Sequence, residues 1–375
     1  MGASKHLSRL FDGVFPKSRL CLMDQLRERL KSSPVTVIDI GGAMGPDACF
    51  EPLRPDMIKF MMFEPDGRSQ TGVEASVVGD DLVFPIGLAR QAGKRKLYLT
   101  AGPFASSLYE PNLAFLNDFN VAPWYRPVGE EEITVDTLDD VMARTPDWQA
   151  DFVKIDVEGA DLEILNSGHS ALDTAYGVQI EVSFSERNLG APFFAEADIM
   201  LRESGFSLFD LEREKWVRAN ACHKATTQSQ TIWADAVYLR PSDWLFARLK
   251  EQEVHVAHTS FSKALAILLA YQAHDKALHL VEQARDLAIL DASFLISCER
   301  SVKKSLIGLT EYVVRGSAAM IMALITALPL MVFGWRGRSL AGTIIRSQAV
   351  PLFSALSKGA RRTGLDRGCI SDATF

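Results

Sequence analysis

DFVKIDVEGADLEIL, residues 151–165, is a short apolar run that ends among carboxylates: Asp156 and Glu158 stand where a buried strand should be reaching the edge of its sheet. A strand end meeting solvent, with Glu158 capping the following helix, is one reading of that pattern. The other is that the acids line a ligand crevice, because open parallel sheets bind ligands at the carboxyl ends of their strands. The rest of the chain bears on the choice.

Upstream, VTVIDI (35–40) is a β-branched run that ends in Asp39 and opens into GGAMG (41–45), the pattern of a first strand meeting its ligand loop. IKFMMFEPD (58–66) is a second apolar run closing on an acid, Glu64. Further strand-like runs lie at 82–89, 96–100, 151–157, 176–184, 206–212 and 232–240. Several are separated by helix-length stretches, so parallel crossovers are expected. A hairpin or antiparallel edge is expected for the close pair within 82–100 and for the last two runs. Before the first strand, LCLMDQLRERLK (20–31) has helical spacing and SSP (32–34) stops it.

With 375 residues, 47% apolar and 23% charged, the chain is long enough for one large domain and something smaller. Its net charge of −7 argues against a phosphate-binding surface, so no nucleic-acid partner is expected. The five cysteines form no CxxC pair, which indicates neither a disulfide framework nor a zinc site. His223 beside Cys222 reads as an exposed loop pair. A reducing cytosol is the expected compartment, and MGASKHLSRLFDGVF lacks the apolar core of a signal peptide.

The glycine loop alone would suit a dinucleotide equally well. A pyrophosphate, however, would meet Asp39, Asp156 and Glu158, whereas the sulfonium, ammonium and ribose diol of S-adenosylmethionine suit an acid-lined pocket. Asp39 then serves the methionine portion and Glu64 the ribose hydroxyls, with Gly41 and Gly45 admitting close backbone approach. Asp156, Glu158 or Glu181 (at the end of VQIEV) is the candidate base for an alcohol acceptor, or the first two hold a divalent metal that acidifies it. Lys154 is expected to pair with a carboxylate or point into the opposite helix layer. Ser106 and Ser107 form either a loop over the ligands or a plain turn. A NAD-dependent oxidoreductase and a noncatalytic interaction protein remain the alternative functions.

VIDIGGAMG, FEPD, GLARQAGKRKLYL, ASSLYEPN, ITVDTLDDV and KIDVEGADLEIL follow one another in the order and approximate spacing of the FkbM-type methyltransferases, which residues 35–185 resemble. The resemblance implies the class I methyltransferase fold, a Rossmann-like α/β seven-stranded mostly parallel sheet with an antiparallel last strand. It also implies S-adenosylmethionine as cofactor and O-methylation of a sugar, glycolipid or other small molecule. By position it makes Asp39, Gly41, Gly45 and Glu64 cofactor contacts and sets Asp156 and Glu158 at the reaction centre. Ala43 departs from the Asn usual in the family.

Four segments are expected: a helical lead-in at 1–34, the methyltransferase domain at 35–242, a helical hairpin region at 243–312, and an apolar helix with a basic tail at 313–375. Residues 260–290 read as two amphipathic helices joined near His274 and Asp275, like one tetratricopeptide unit. GSAAMIMALITALPLMVFGW (316–335) is uncharged, and as a helix would extend about 30 Å, the thickness of a bilayer core. A single span would export an arginine-rich tail against the positive-inside tendency, so monotopic or re-entrant attachment to the cytoplasmic face, beside a lipid-linked acceptor, is favoured over a helix buried in the protein and over a span.

Overall fold

In the computed structural model residues 26–303 are described, save 44, 222–228, 289 and 301. The expectations for Cys222 and His223, for the apolar stretch 316–335 and for the basic tail lie outside the described residues. The chain divides into a unit of Met23–Leu295 and a second of Met1–Leu22 with Ile296–Phe375. Of the second, residues 296–303 save 301 are described, and they are helical.

The first unit is built on seven strands: β1 (Val35–Ile40), β2 (Ile58–Phe63), β3 (Leu82–Phe84), β7 (Phe152–Ile155), β8 (Gly177–Ser183), β9 (Ser207–Trp216) and β10 (Gln230–Leu239). Their order is β3-β2-β1-β7-β8-β10-β9. Neighbours from β3 to β8 are parallel, and β10 runs antiparallel to both β8 and β9. This is the class I methyltransferase sheet, and the antiparallel edge expected for the last two runs is formed.

The expected hairpin within 82–100 is not formed. Pro85 ends the first run, and β3 stays in the main sheet beside β2, with Met61 opposite Leu82. β4 (Gly87–Leu88) and β5 (Gly93–Thr100) instead flank β6 (Pro127–Asp136) in a second, three-stranded sheet. Only Ile133 and Val135 of β6 are buried apolar positions, so its hydrophobic signal is too short to compete with β1 or β2. Tyr109 Oη donates to Glu163 Oε1 (2.5 Å) and Arg95 pairs with Glu163 Oε2 (3.1 Å), fastening the insertion to the helix after β7.

The two faces of the main sheet differ in chemistry. Ile38, Ile40, Val153, Ile155, Val178, Ile180, Ala234 and Ala236 form one core with the helices Leu138–Arg144, Asp161–Leu165, His169–Thr174 and Phe194–Glu203. Because side chains alternate along each strand, register puts Asp39, Lys154 and Gln179 side by side on the other face, with Glu181 opposite Asp235 two residues further on. Aromatics cover that face: Phe152 stacks on Tyr271 (5.2 Å between centroids), and Phe50 meets Phe60, Phe152 and Tyr271 edge-on.

Tyr271 caps the helix Val254–Ala270, which precedes the helix His274–Asp286. The expected helical pair is thus present, although its first helix begins earlier than residue 260. Both helices belong to the same unit as the sheet.

Candidate functional site

A cleft opens beyond the carboxyl ends of β1, β2 and β7. Its floor is chain that bends away from the sheet. Gly41 has φ +85°, and a Cβ there would come within 1.9 Å of the Asp156 carbonyl oxygen, so only glycine lets the two loops cross. Hydrogen bonds from Gly41 N to Phe63 O (3.0 Å) and from Asp156 N to Ile40 O (2.9 Å) tie the three strand ends together.

Glu64, at the end of β2, lines the cleft with Pro65 and Asp66. Its Oε1 accepts from Asp66 N at 2.7 Å. Burial pushes its carboxyl up to about 7, aided by the nearby charges of Asp66 and Asp39 against the pull of that hydrogen bond. Burial also raises Asp66, but hydrogen bonds from Arg68 outweigh it and hold that carboxyl below its ordinary value. Arg68 reaches on to Thr100 O (2.8 Å) and Ser106 Oγ (2.9 Å), joining the β2 loop to the insertion. The apolar part of the lining includes Ile86, Leu88, Leu97, Phe104 and Ile133.

Asp39 is buried and does not line the cleft. Its Oδ1 lies 3.4 Å from Lys154 Nζ, while Oδ2 has no hydrogen-bond partner among the described residues and would lie 3.3 Å from a Cβ at Gly42. Burial raises the Asp39 carboxyl despite Lys154. Burial alone would lower Lys154, but the carboxylates of Asp39 and Asp156 prevail and keep it charged. Of the two expectations for Lys154, pairing with a carboxylate is the one formed. Gly45 is in the left-handed region but outside the cleft lining.

The three candidate bases are placed differently. Asp156 lines the cleft, its side chain 41% exposed, 3.7 Å from Lys154. Glu158 and Glu181 are buried and share one guanidinium: Arg187 donates to Glu158 Oε2 (2.8 Å) and Glu181 Oε2 (2.6 Å). Burial pushes Glu158 up to about 7 and Glu181 well above the usual carboxylate range, with Arg187 opposing in both cases. Nor does Glu158 cap the next helix. The N-cap is Ala160, with no side-chain cap hydrogen bond, and the carboxylate of Asp161 accepts from Val157 N (3.2 Å) and Gly159 N (2.8 Å) in the turn before the helix.

Ser106 and Ser107 both line the cleft, and Ser107 Oγ donates to Glu158 O at 2.7 Å. No group of three or more His, Cys, Asp or Glu suited to a metal ion occurs among the described residues. Arg68, Arg187 and Asp235 carry no sequence signal of their own. The nearest hint is the position of Arg187, six residues beyond a strand-end acid.

No curated protein matches the chain. Among solved structures, the crystal structure of magnesium protoporphyrin IX methyltransferase (ChlM) from Synechocystis PCC 6803 with bound SAM aligns over 60% of this chain and 79% of that chain. At 9% identity and a TM-score of 0.28 the likeness is too slight to support any inference. Residues 56–208, which hold β2 through the start of β9, match the methyltransferase FkbM domain. It is this segment, and not the whole chain, that is similar to the methyltransferase FkbM domain.

Proposed function

We propose that the protein is an S-adenosylmethionine-dependent O-methyltransferase acting on a hydroxyl of a sugar, glycolipid or other small molecule. The observation that carries this reading is the cleft itself, lined by Gly41, the Glu64 carboxyl and several apolar side chains. These residues fit the cofactor: Glu64 is an acceptor for ribose hydroxyls, and Ile86, Leu97 and Ile133 offer apolar side chains to a purine. When bound, the sulfonium supplies an electrophilic methyl carbon.

Asp156 is the candidate base most open to the cleft, so it takes the acceptor proton at its carboxylate as the hydroxyl attacks. A positioned base of this kind contributes roughly 10² to 10⁴ in rate, beyond what alignment supplies. Lys154 and the backbone bond to Ile40 hold Asp156 in place. Glu158 and Glu181, bound to Arg187, support the loop rather than the proton transfer.

The acceptor's setting follows from the sequence. The apolar stretch 316–335 and the arginines beyond it suit attachment at a cytoplasmic membrane face, beside a lipid-linked acceptor. No helix among the described residues is long and apolar enough to cross a membrane.

Calorimetric titration with S-adenosylmethionine and with NAD tests the cofactor. Transfer of label from methyl-tritiated cofactor into glycan and lipid extracts of cells lacking the protein tests the acceptor class. Binding of NAD in preference to S-adenosylmethionine would overturn the reading, and label entering only protein or nucleic acid would overturn its acceptor half.

A further inference from the structure

Glu158 has φ +57°, a backbone conformation that an ordinary side chain adopts at a cost and keeps only where its surroundings impose it. Three neighbours do so. Arg187 binds its carboxylate, while Ser107 Oγ (2.7 Å) and Asn188 Nδ2 (2.5 Å) both donate to its carbonyl oxygen. The next residue, Gly159, is at φ +117° with its N–H on Asp161. The turn between Asp156 and Ala160 is therefore held by Arg187, Asn188 and the cleft-lining Ser107, and Asp156, Val157 and Ala160 are the residues it presents to the cleft.

Arg187 is the hub of this arrangement. It is 2% exposed and spans Glu158 on the β7 loop and Glu181 on β8, with Ser183 Oγ at 3.1 Å. Its own segment is strapped to the insertion: Asn112 N donates to Arg187 O, and Leu189 N to Glu110 O, each at 2.8 Å. A planar guanidinium can serve two carboxylates at fixed angles, which an ammonium cannot do.

We propose that Arg187 is a positioning residue: without touching the ligand, it locks the left-handed turn at Glu158 and so sets the cleft-facing loop that the cofactor must meet. This rests on the S-adenosylmethionine reading of the cleft. A purely structural role for the Arg187 cluster predicts a less stable protein whose folded fraction binds normally. Positioning predicts weaker binding by protein that is fully folded.

The test uses the full chain with S-adenosylmethionine as probe, at a temperature where circular dichroism shows each variant folded. Arg187→Lys keeps a charge but not the fork. The triple variant Arg187→Met, Glu158→Gln, Glu181→Gln removes all three charges together, so no carboxylate is left buried and unpaired. Both are expected to weaken S-adenosylmethionine binding about tenfold in calorimetry and to speed hydrogen exchange at the Val157 and Gly159 amides at least tenfold, with exchange in β1 unchanged. Wild-type affinity in the folded triple variant would overturn the positioning role while leaving the cofactor reading intact. Absence of S-adenosylmethionine binding by the wild-type chain would overturn the cofactor reading, and this inference with it.

Discussion

Lys154 Nζ lies 3.4 Å from Asp39 Oδ1 in a pair shielded from solvent, on a sheet whose opposite face is wholly apolar at this level. The pair links β1 to β7, which Asp156 directly follows. Removing one partner of a buried pair leaves a charge with nowhere to go, so Lys154→Met should cost about 3 to 5 kcal/mol of stability. Asp39→Asn added to that variant should recover part of the loss. Urea unfolding of the two variants checks this, and equal stabilities would show that the pair contributes no coupling.

Glu64→Gln should weaken S-adenosylmethionine binding by about tenfold to a hundredfold, the cost of losing a charge-assisted hydrogen bond worth roughly 1.5 to 3 kcal/mol. Calorimetry at fixed pH reads it directly, and unchanged affinity removes Glu64 from the cofactor site.

The same residue gives a pH signature. Its carboxyl is pushed up to about 7 in the folded protein, against 4.5 for an ordinary Glu. The unfolded chain therefore loses its proton first, and this group's contribution to stability falls as pH rises from 4.5 towards 7. Cofactor affinity should move the opposite way, rising through pH 7 as Glu64 ionises and becomes a stronger acceptor. Glu64→Gln should flatten both trends relative to wild type, as measured by denaturation and calorimetry across that range.

Asp156→Asn should leave cofactor affinity within a few-fold of wild type and cut methyl transfer by roughly 10² to 10⁴, the usual contribution of a positioned base. Tritiated methyl transfer into the acceptor extract is the readout. A fully active Asp156→Asn variant would move the proton acceptor elsewhere.

Tyr271 Oη donates to Gln179 Oε1 at 2.6 Å, and Gln179 Nε2 lies 3.3 Å from Asp47 Oδ2. Tyr271→Phe should cost about 1 to 3 kcal/mol, because a buried amide oxygen loses its donor while the aromatic stack survives. Tyr271→Ala should cost more, about 3 to 5 kcal/mol, by opening a cavity beside Phe50 and Phe152. Thermal melts of the two variants separate these contributions.

Much of the fold was legible in residue order because β1, β2, β7 and β8 are buried on both faces and leave apolar runs, the first three followed directly by a glycine or an acid. Local sequence therefore determined that Asp39, Gly41, Glu64, Asp156 and Glu181 would gather near the ends of adjacent strands. It also located the helical pair after residue 241. What it did not carry was pairing and partnership. β6 joins β4 and β5 through an alternation only two buried residues deep, and Arg187 reaches Glu158 across 29 residues of chain. Both depend on contacts that exist only once the chain is folded. The division among the carboxylates was decided at the same level: burial and a shared guanidinium sequester Glu158 and Glu181, a lysine holds Asp39 beneath the loop, and Asp156 and Glu64 are left to the cleft. An acid's identity is written in the sequence, but its solvation and its neighbours, which set its charge and its reach, come from the tertiary structure.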